Sequence, residues 1–146
     1  MAITLDTITL PDDLLWIDEF AFSAIVQQGD YALDGALILQ ESTVLAGRPI
    51  TLVGAQDKAW ATRATVLALQ ALADAATDTN HTLTLNDART FTVRFRRSSP
   101  SNLLSSSGSS TSNSGLPFTA TPVIPFSDPA SDDAYVLTVN LFVVPT

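Results

Sequence analysis

Apolar residues recur at every second position over most of this chain, and a single stretch departs from that period. Such alternation places successive side chains on opposite faces of an extended strand, so the chain is constrained to sheet structure with at most one substantial helix. Ile3, Leu5, Ile8 and Leu10 flank a turn at Asp6-Thr7, and Pro11-Asp12-Asp13 ends that pair. Leu14 to Glu19 follows, with Trp16 and Ile17 expected buried or half-buried, then Ala21 to Gln28, broken at Gly29-Asp30. From Tyr31 to Glu41, the positions of Leu33, Leu37, Ile38 and Leu39 predict a strand bulged or bent at Gly35. Another strand carries Ile50 and Leu52 after the Gly47-Arg48-Pro49 break. Thr82 to Leu85 and Thr90 to Phe95 read as a hairpin around Asn86-Asp87-Ala88-Arg89, with Leu83, Leu85, Phe91, Val93 and Phe95 on one face. Tyr135 to Val144 is apolar on both faces, as expected of a central strand or one that pairs with a partner.

The exception runs from Trp60 to Ala76, where Val66, Leu67, Leu69, Ala71, Leu72 and Ala73 give an apolar stripe at helical spacing. Asp57 is the expected N-cap, and Asp74, Thr77 and Asp78 mark the end. At ~1.5 Å per residue this helix, about residues 60–76, would run about 25 Å and cover one mouth or face of a small sheet. The expectation is therefore a mainly β fold with one α-helix, a small β-barrel or β-sandwich, in a single domain spanning 1–146. Ser98 to Gly115 interrupts it. Its serine-dominated composition cannot form a core and predicts an inserted flexible loop, in which Leu103 and Leu104, with Leu116 and Phe118 beyond it, are the groups able to dock on neighbouring chains.

Charge narrows the function classes. Charged residues make up 15% of the chain, against roughly 25% in an average domain. Net charge is −8, and eight acids from Asp6 to Glu41 precede the first base, Arg48. Arg89, Arg94, Arg96 and Arg97 form a basic run with no acid after Asp87 until far downstream. This balance disfavours nucleic acid, and it suits contacts in which the acidic region of one copy, Asp12, Asp13, Asp18 and Glu19, meets Arg94, Arg96 and Arg97 of the next. Met1 to Leu10 has neither a basic start nor an apolar stretch, so no secretory signal is expected there. Apolar runs stay far below the ~20 residues of a membrane helix, so no membrane partner and a cytoplasmic origin are expected.

Catalytic patterns are weak. His81 is the only histidine and there is no cysteine, which leaves neither a serine triad nor a zinc set. Asp128, Asp132 and Asp133 share a turn-rich stretch, but their spacing does not match a calcium loop. The glycines are scattered singly, without a phosphate-loop pattern. No enzyme activity, cofactor or metal is expected.

The run Leu10-Pro-Asp-Asp-Leu-Leu-Trp-Ile-Asp-Glu-Phe, then Leu33-Asp-Gly-Ala-Leu-Ile-Leu-Gln-Glu, Gly47-Arg-Pro-Ile-Thr-Leu, Trp60-Ala-Thr-Arg and the hairpin from Leu83 to Phe95 resemble small tail proteins of tailed bacteriophages. The likeness is greatest to the N-terminal belt domain of distal tail proteins. It implies a β-barrel or sandwich with a helix, forming a homo-oligomeric ring, commonly of six copies, that joins the tail tube to the hub and the host-recognition apparatus. It also implies residence in the virion tail after synthesis in the bacterial host cytoplasm. No stretch of these residues corresponds to the carbohydrate-binding-like domain that many distal tail proteins carry, which leaves room for a related baseplate, tube-initiator or tail-completion role. The reading of a different class is a monomeric carbohydrate- or protein-binding module using Trp16, Trp60 and Tyr31 as stacking groups. Each of the three lies in an apolar-periodic segment and is expected in the core.

Overall fold

The computed structural model describes residues 2–75, 79–97, 116–124 and 128–145. The inserted loop, with Leu103 and Leu104, lies outside these residues. The fold is mainly β with one helix, as the alternation predicts. Its strands are β1 (Ile3–Leu5), β2 (Ile8–Leu10), β3 (Leu15–Trp16), β4 (Ile25–Tyr31), β5 (Leu37–Thr43), β6 (Pro49–Val53), β7 (Trp60–Thr62), β8 (His81–Thr84), β9 (Thr90–Phe95), β10 (Phe118–Pro122) and β11 (Ala134–Val143), with α1 (Arg63–Ala73) between β7 and β8.

Nine of these strands form one antiparallel sheet in the order β2-β1-β8-β9-β11-β6-β3, with β7 and β10 also paired to β11. The last strand is the spine. Along one edge it pairs first with β10, Tyr135 to Val139 against Pro122 to Phe118, and then with β9, Leu141 to Val143 against Phe95 to Val93. Its other edge pairs with β7 through Ala134 to Val136 and with β6 through Thr138 to Phe142. Each flank is thus one strand line cut in the middle: residues 54–59 leave between β6 and β7, and the serine-rich insertion leaves between β9 and β10. At the first cut Gly54 donates its N–H to Leu137 O at 2.7 Å, and a Cβ there would sit 3.1 Å from two carbonyl oxygens. A side chain there would require these backbone atoms to give by a few tenths of an ångström.

Alternation along the spine divides the two faces. Leu137, Val139 and Leu141 are fully buried. They meet Ile50 and Leu52 of β6, Val93 and Phe95 of β9, Leu83 of β8, Ile3 and Leu5 of β1, and Leu69 and Ala73 of α1 in one core. The hairpin from His81 to Phe95 has the expected face and the register Leu83 against Phe91. Ala88, in the left-handed region at φ 70°, closes its turn.

The helix is shorter than predicted, and its cap differs. Trp60–Thr62 is a strand because its backbone groups pair with β11, so the helix starts only where that pairing ends. Thr62, not Asp57, is the N-cap and accepts from Thr65 N. The next two N–H groups, of Arg63 and Ala64, are taken by the carbonyls of Asp133 and Ser131. At the far end Arg97 donates to Ala73 O, placing a cation on the negative pole of the helix.

One further expectation is corrected. Gly29 does not break a strand: β4 runs through it, opposite Leu39. The interruption expected at Gly35 is present, as a bend within the turn joining β4 to β5, at φ 89°, with its N–H on Ala32 O.

Candidate assembly surface

Strands β4 and β5 form a two-stranded ribbon of their own, and every one of their fourteen residues is exposed. Pairing extends from Ile25 against Thr43 to Tyr31 against Leu37, and one more bond, Val44 N to Ala24 O, lengthens the ladder toward the body. Asp34 accepts from Ala36 N and fixes the tip. An isolated two-stranded ribbon in water is marginally stable at best, because only one ladder holds it and neither face is covered. This one nonetheless carries Ile25, Val26, Tyr31, Leu33, Leu37, Ile38 and Leu39, all at least half exposed.

Register sorts these side chains. Cross-strand partners share a face, so Tyr31, Leu37 and Leu39 lie together with Gly29 toward the tip, and a Gln27–Glu41 hydrogen bond of 2.6 Å separates them from Ile25 at the root. Val26, Gln28, Asp30, Ile38, Gln40 and Ser42 occupy the opposite, mostly polar face. From Phe20 to Gly47 the chain has three acids and no base.

The body presents a second uncovered surface, the outward face of the sheet around the spine. One cross-strand row there is Leu15, Val53, Thr138 and Thr119; the next is Trp60, Val136 and Thr121. Neither row carries a charged side chain. Leu15 is 63% exposed and Trp60 50%, with Ile17 beside them at 59%. Ile17, expected to be buried or half-buried, is thus exposed. Trp60 and Tyr31 are likewise on the surface rather than in the core, while Trp16 is buried as expected.

The residues proposed from sequence for contacts between copies have partners within the chain. Asp18 accepts from Thr51 N and Thr51 Oγ1, both at 3.0 Å. Thr51 Oγ1 also accepts from Arg96, which reaches Asn140 Oδ1 at 3.2 Å. Glu19 accepts from Arg89 at 2.5 Å and offers its carbonyl to Arg48. Asp13 accepts from Ala59 N, holding that residue at φ 61°, and the Asp12 carbonyl accepts from Asn86. Arg94 donates to Asn80, and Arg97 caps α1. Acids and bases that are far apart in sequence are therefore neighbours in one chain, and Asp18, Arg96 and Asn140 form a connected polar pin.

Asn140 is the centre of that pin and 5% exposed. Its N–H donates to Pro117 O and its side-chain amide to Leu116 O, while its carbonyl accepts from Arg96 N. Both ends of the serine-rich insertion are thus tied to one residue of the spine.

Other groups have structural partners. His81 is buried, edge-on to Phe95, with Nδ1 2.7 Å from Asp6 Oδ2. Asp6, at φ 53°, also accepts from Thr82 N, so the pair ties the β1–β2 turn to β8. Arg89 bridges Glu19 and Asp87, and both carboxylates raise its pKa, that of Glu19 most. At Asp87 desolvation pushes the pKa up, but the hydrogen bonds from Arg89 N and its side chain, with its charge, together hold it below the usual aspartate value. Asp133 accepts from Ala130 N in the turn before β11, and no cluster of three or more metal-ligating side chains occurs among the described residues. A groove of about 410 Å³ beside β8 and β9 is lined by Leu45, Phe91, Val143, Val144, Pro145 and three threonines, without a titratable group. No helix among the described residues is long and apolar enough to cross a membrane. No family model, no curated protein and no solved structure matches the chain.

Proposed function

We propose that this protein is a structural subunit of a bacteriophage tail tip or baseplate that assembles with copies of itself into a ring, in the manner of distal tail proteins, between the tail tube and the hub. The exposed β4–β5 ribbon carries the reading. Seven large apolar side chains on an otherwise unsupported ribbon make it a poor free structure and a good contact element. Its long unpaired edges lack the lysines and prolines by which free-standing edges avoid association. The tail-tip setting and the six-copy ring rest on the sequence resemblance.

Light scattering on the purified chain across a concentration range tests self-assembly. A multiple of 15.5 kDa is expected, falling to one chain when residues 25–43 are replaced by a short turn. A 15.5 kDa species at every concentration for the intact chain would refute it. Exposure of Trp60 and Tyr31 favours a second reading, a module that stacks a carbohydrate on these rings. Saturable quenching of tryptophan fluorescence by oligosaccharides, lost in Trp60→Ala, would support that alternative.

A further inference from the structure

We propose that Asp34 and Gly35, in the turn between β4 and β5, form a self-modifying site. The carboxyl of Asp34 condenses with the backbone nitrogen of Gly35, and the resulting succinimide opens to leave an isoaspartyl link in the main chain. The proposal is independent of the assembly reading, and three observations carry it.

The first is the pair of residue types. No other aspartate of the chain, and no asparagine, is followed by glycine. Ring closure crowds the carbon next to the attacking nitrogen, and glycine has no Cβ there to resist it. Asp128 precedes Pro129, whose nitrogen has no hydrogen to give up.

The second is the fold of the turn. Asp34 Oδ1 accepts from Ala36 N at 3.0 Å, which bends the carboxyl back over the peptide joining Asp34 to Gly35. The Gly35 nitrogen lies within the loop of atoms that this hydrogen bond closes, so Cγ is held beside it instead of sweeping through solvent. Gly35 N donates to Ala32 O at 2.9 Å and Ala32 N to Ala36 O at 2.8 Å, so the nitrogen is fixed as well. Holding two reacting groups in one small turn replaces an encounter with a local step. Asp87 makes the same turn with Arg89 N at 3.2 Å, and the comparison is instructive. There the next residue is Ala88, and the second carboxyl oxygen accepts from Arg89 Nε at 2.6 Å. A guanidinium favours the ionised carboxylate, which must gain a proton before it can lose water. Asp34 has no cation among its contacts.

Access is the third. Asp34 and Gly35 are exposed, and nothing lies within 4 Å of the position a Cβ would take on Gly35. Water therefore reaches the ring once it forms. The reaction balances without a co-reactant. Gly35 N bonds to Asp34 Cγ, and one carboxyl oxygen leaves as water with the amide proton and a proton from solvent. Water then adds to the ring. Addition at Cγ restores aspartate. Addition at the main-chain carbonyl carbon breaks its bond to Gly35 N and leaves the chain running through Cβ and Cγ. The main chain gains a methylene, and the mass returns to its starting value. The hydrogen bonds of Ala32 N and Gly35 N are set for the shorter chain, so a ribbon that is marginal by itself frays from its tip.

The purified chain is aged at neutral pH, folded and in urea. Isoaspartate is read by methyl transfer from S-adenosylmethionine with a protein-isoaspartate methyltransferase, and located by peptide mapping. In the folded chain, label that rises with time and is confined to the peptide holding Asp34 and Gly35 is expected, with a form of that peptide lighter by one water. The label is lost in Asp34→Glu, whose longer side chain must close a larger ring, while the urea midpoint of that variant stays unchanged because the position is exposed. Label at Asp34 in urea but not in the folded chain means that the turn protects the site, and overturns the proposal. Absence of label in both samples, or label at Asp87 equal to that at Asp34, overturns it too.

Discussion

Replacing Asn140 by alanine tests whether the polar pin at the root of the insertion holds the sheet. The side chain makes two hydrogen bonds from a nearly buried position, to Leu116 O at 3.0 Å and from Arg96 at 3.2 Å. A neutral bond is worth about 1 kcal/mol net and one to a charged group about 1.5–3 kcal/mol. The Arg96 contact is long, and Arg96 keeps Thr51, so the lower end applies and the loss should be about 2–3 kcal/mol. Urea unfolding followed by fluorescence of buried Trp16 would show this as a midpoint lower by about 1–2 M, with an unchanged slope of about 1–3 kcal/mol/M. A cycle with Arg96→Met should give a coupling of about 0.5–3 kcal/mol. A loss below about 0.5 kcal/mol, with no coupling to Arg96, would refute the pin.

Leu141→Ala, at a fully buried position of the spine, should cost about 2–5 kcal/mol in the same unfolding experiment. Asp18→Ala strips partners from Thr51 N and Oγ1 and should cost about 1–3 kcal/mol. Glu19→Gln weakens a pair whose arginine is 43% exposed and should cost under about 1 kcal/mol, less at high salt. Asp87 has a lowered folded-state pKa, so its contribution is present above the ordinary aspartate value and is lost as pH falls through the lowered one. Asp87→Asn should therefore flatten the acid side of the stability profile and leave the shape of the neutral region unchanged.

Much of the architecture was legible because burial imposes a period on the sequence. Leu137, Val139 and Leu141, and the hairpin face from Leu83 to Phe95, alternate because the core lies on one side of them. The misreadings fall where pairing partners are distant or where no core is present. Phe118–Pro122 was not anticipated as a strand, because its order depends on Tyr135 to Val139 rather than on its own short, threonine-rich sequence. Trp60 belongs by composition to the helix, yet the free edge of β11 takes it. In the ribbon, alternation has no buried side to report, so Gly29 looked like a break instead of an interior position of a strand. The segregation of acids and bases along the sequence also misled: Glu19 and Arg89 are seventy positions apart and in contact. The exposed sheet face around Leu15 and Trp60 could not be read at all, since it is assembled from five separate segments.

The two cuts in the strand lines beside β11 also bear on how this chain can change. Because Arg96 and Pro117 both bond the backbone of Asn140, the ends of the insertion are held together whatever joins them. Doubling the length of such a tether adds only about 0.6 kcal/mol of closure entropy, far less than the loss of one core leucine. The segment from 98 to 115 is thus a cassette: its composition can drift, lengthen or be exchanged for a peptide epitope while the sheet around it keeps its register. Among the six residues between β6 and β7, Gly54 has less latitude, since it sits against Leu137 and a Cβ there would require the neighbouring backbone to give by a few tenths of an ångström.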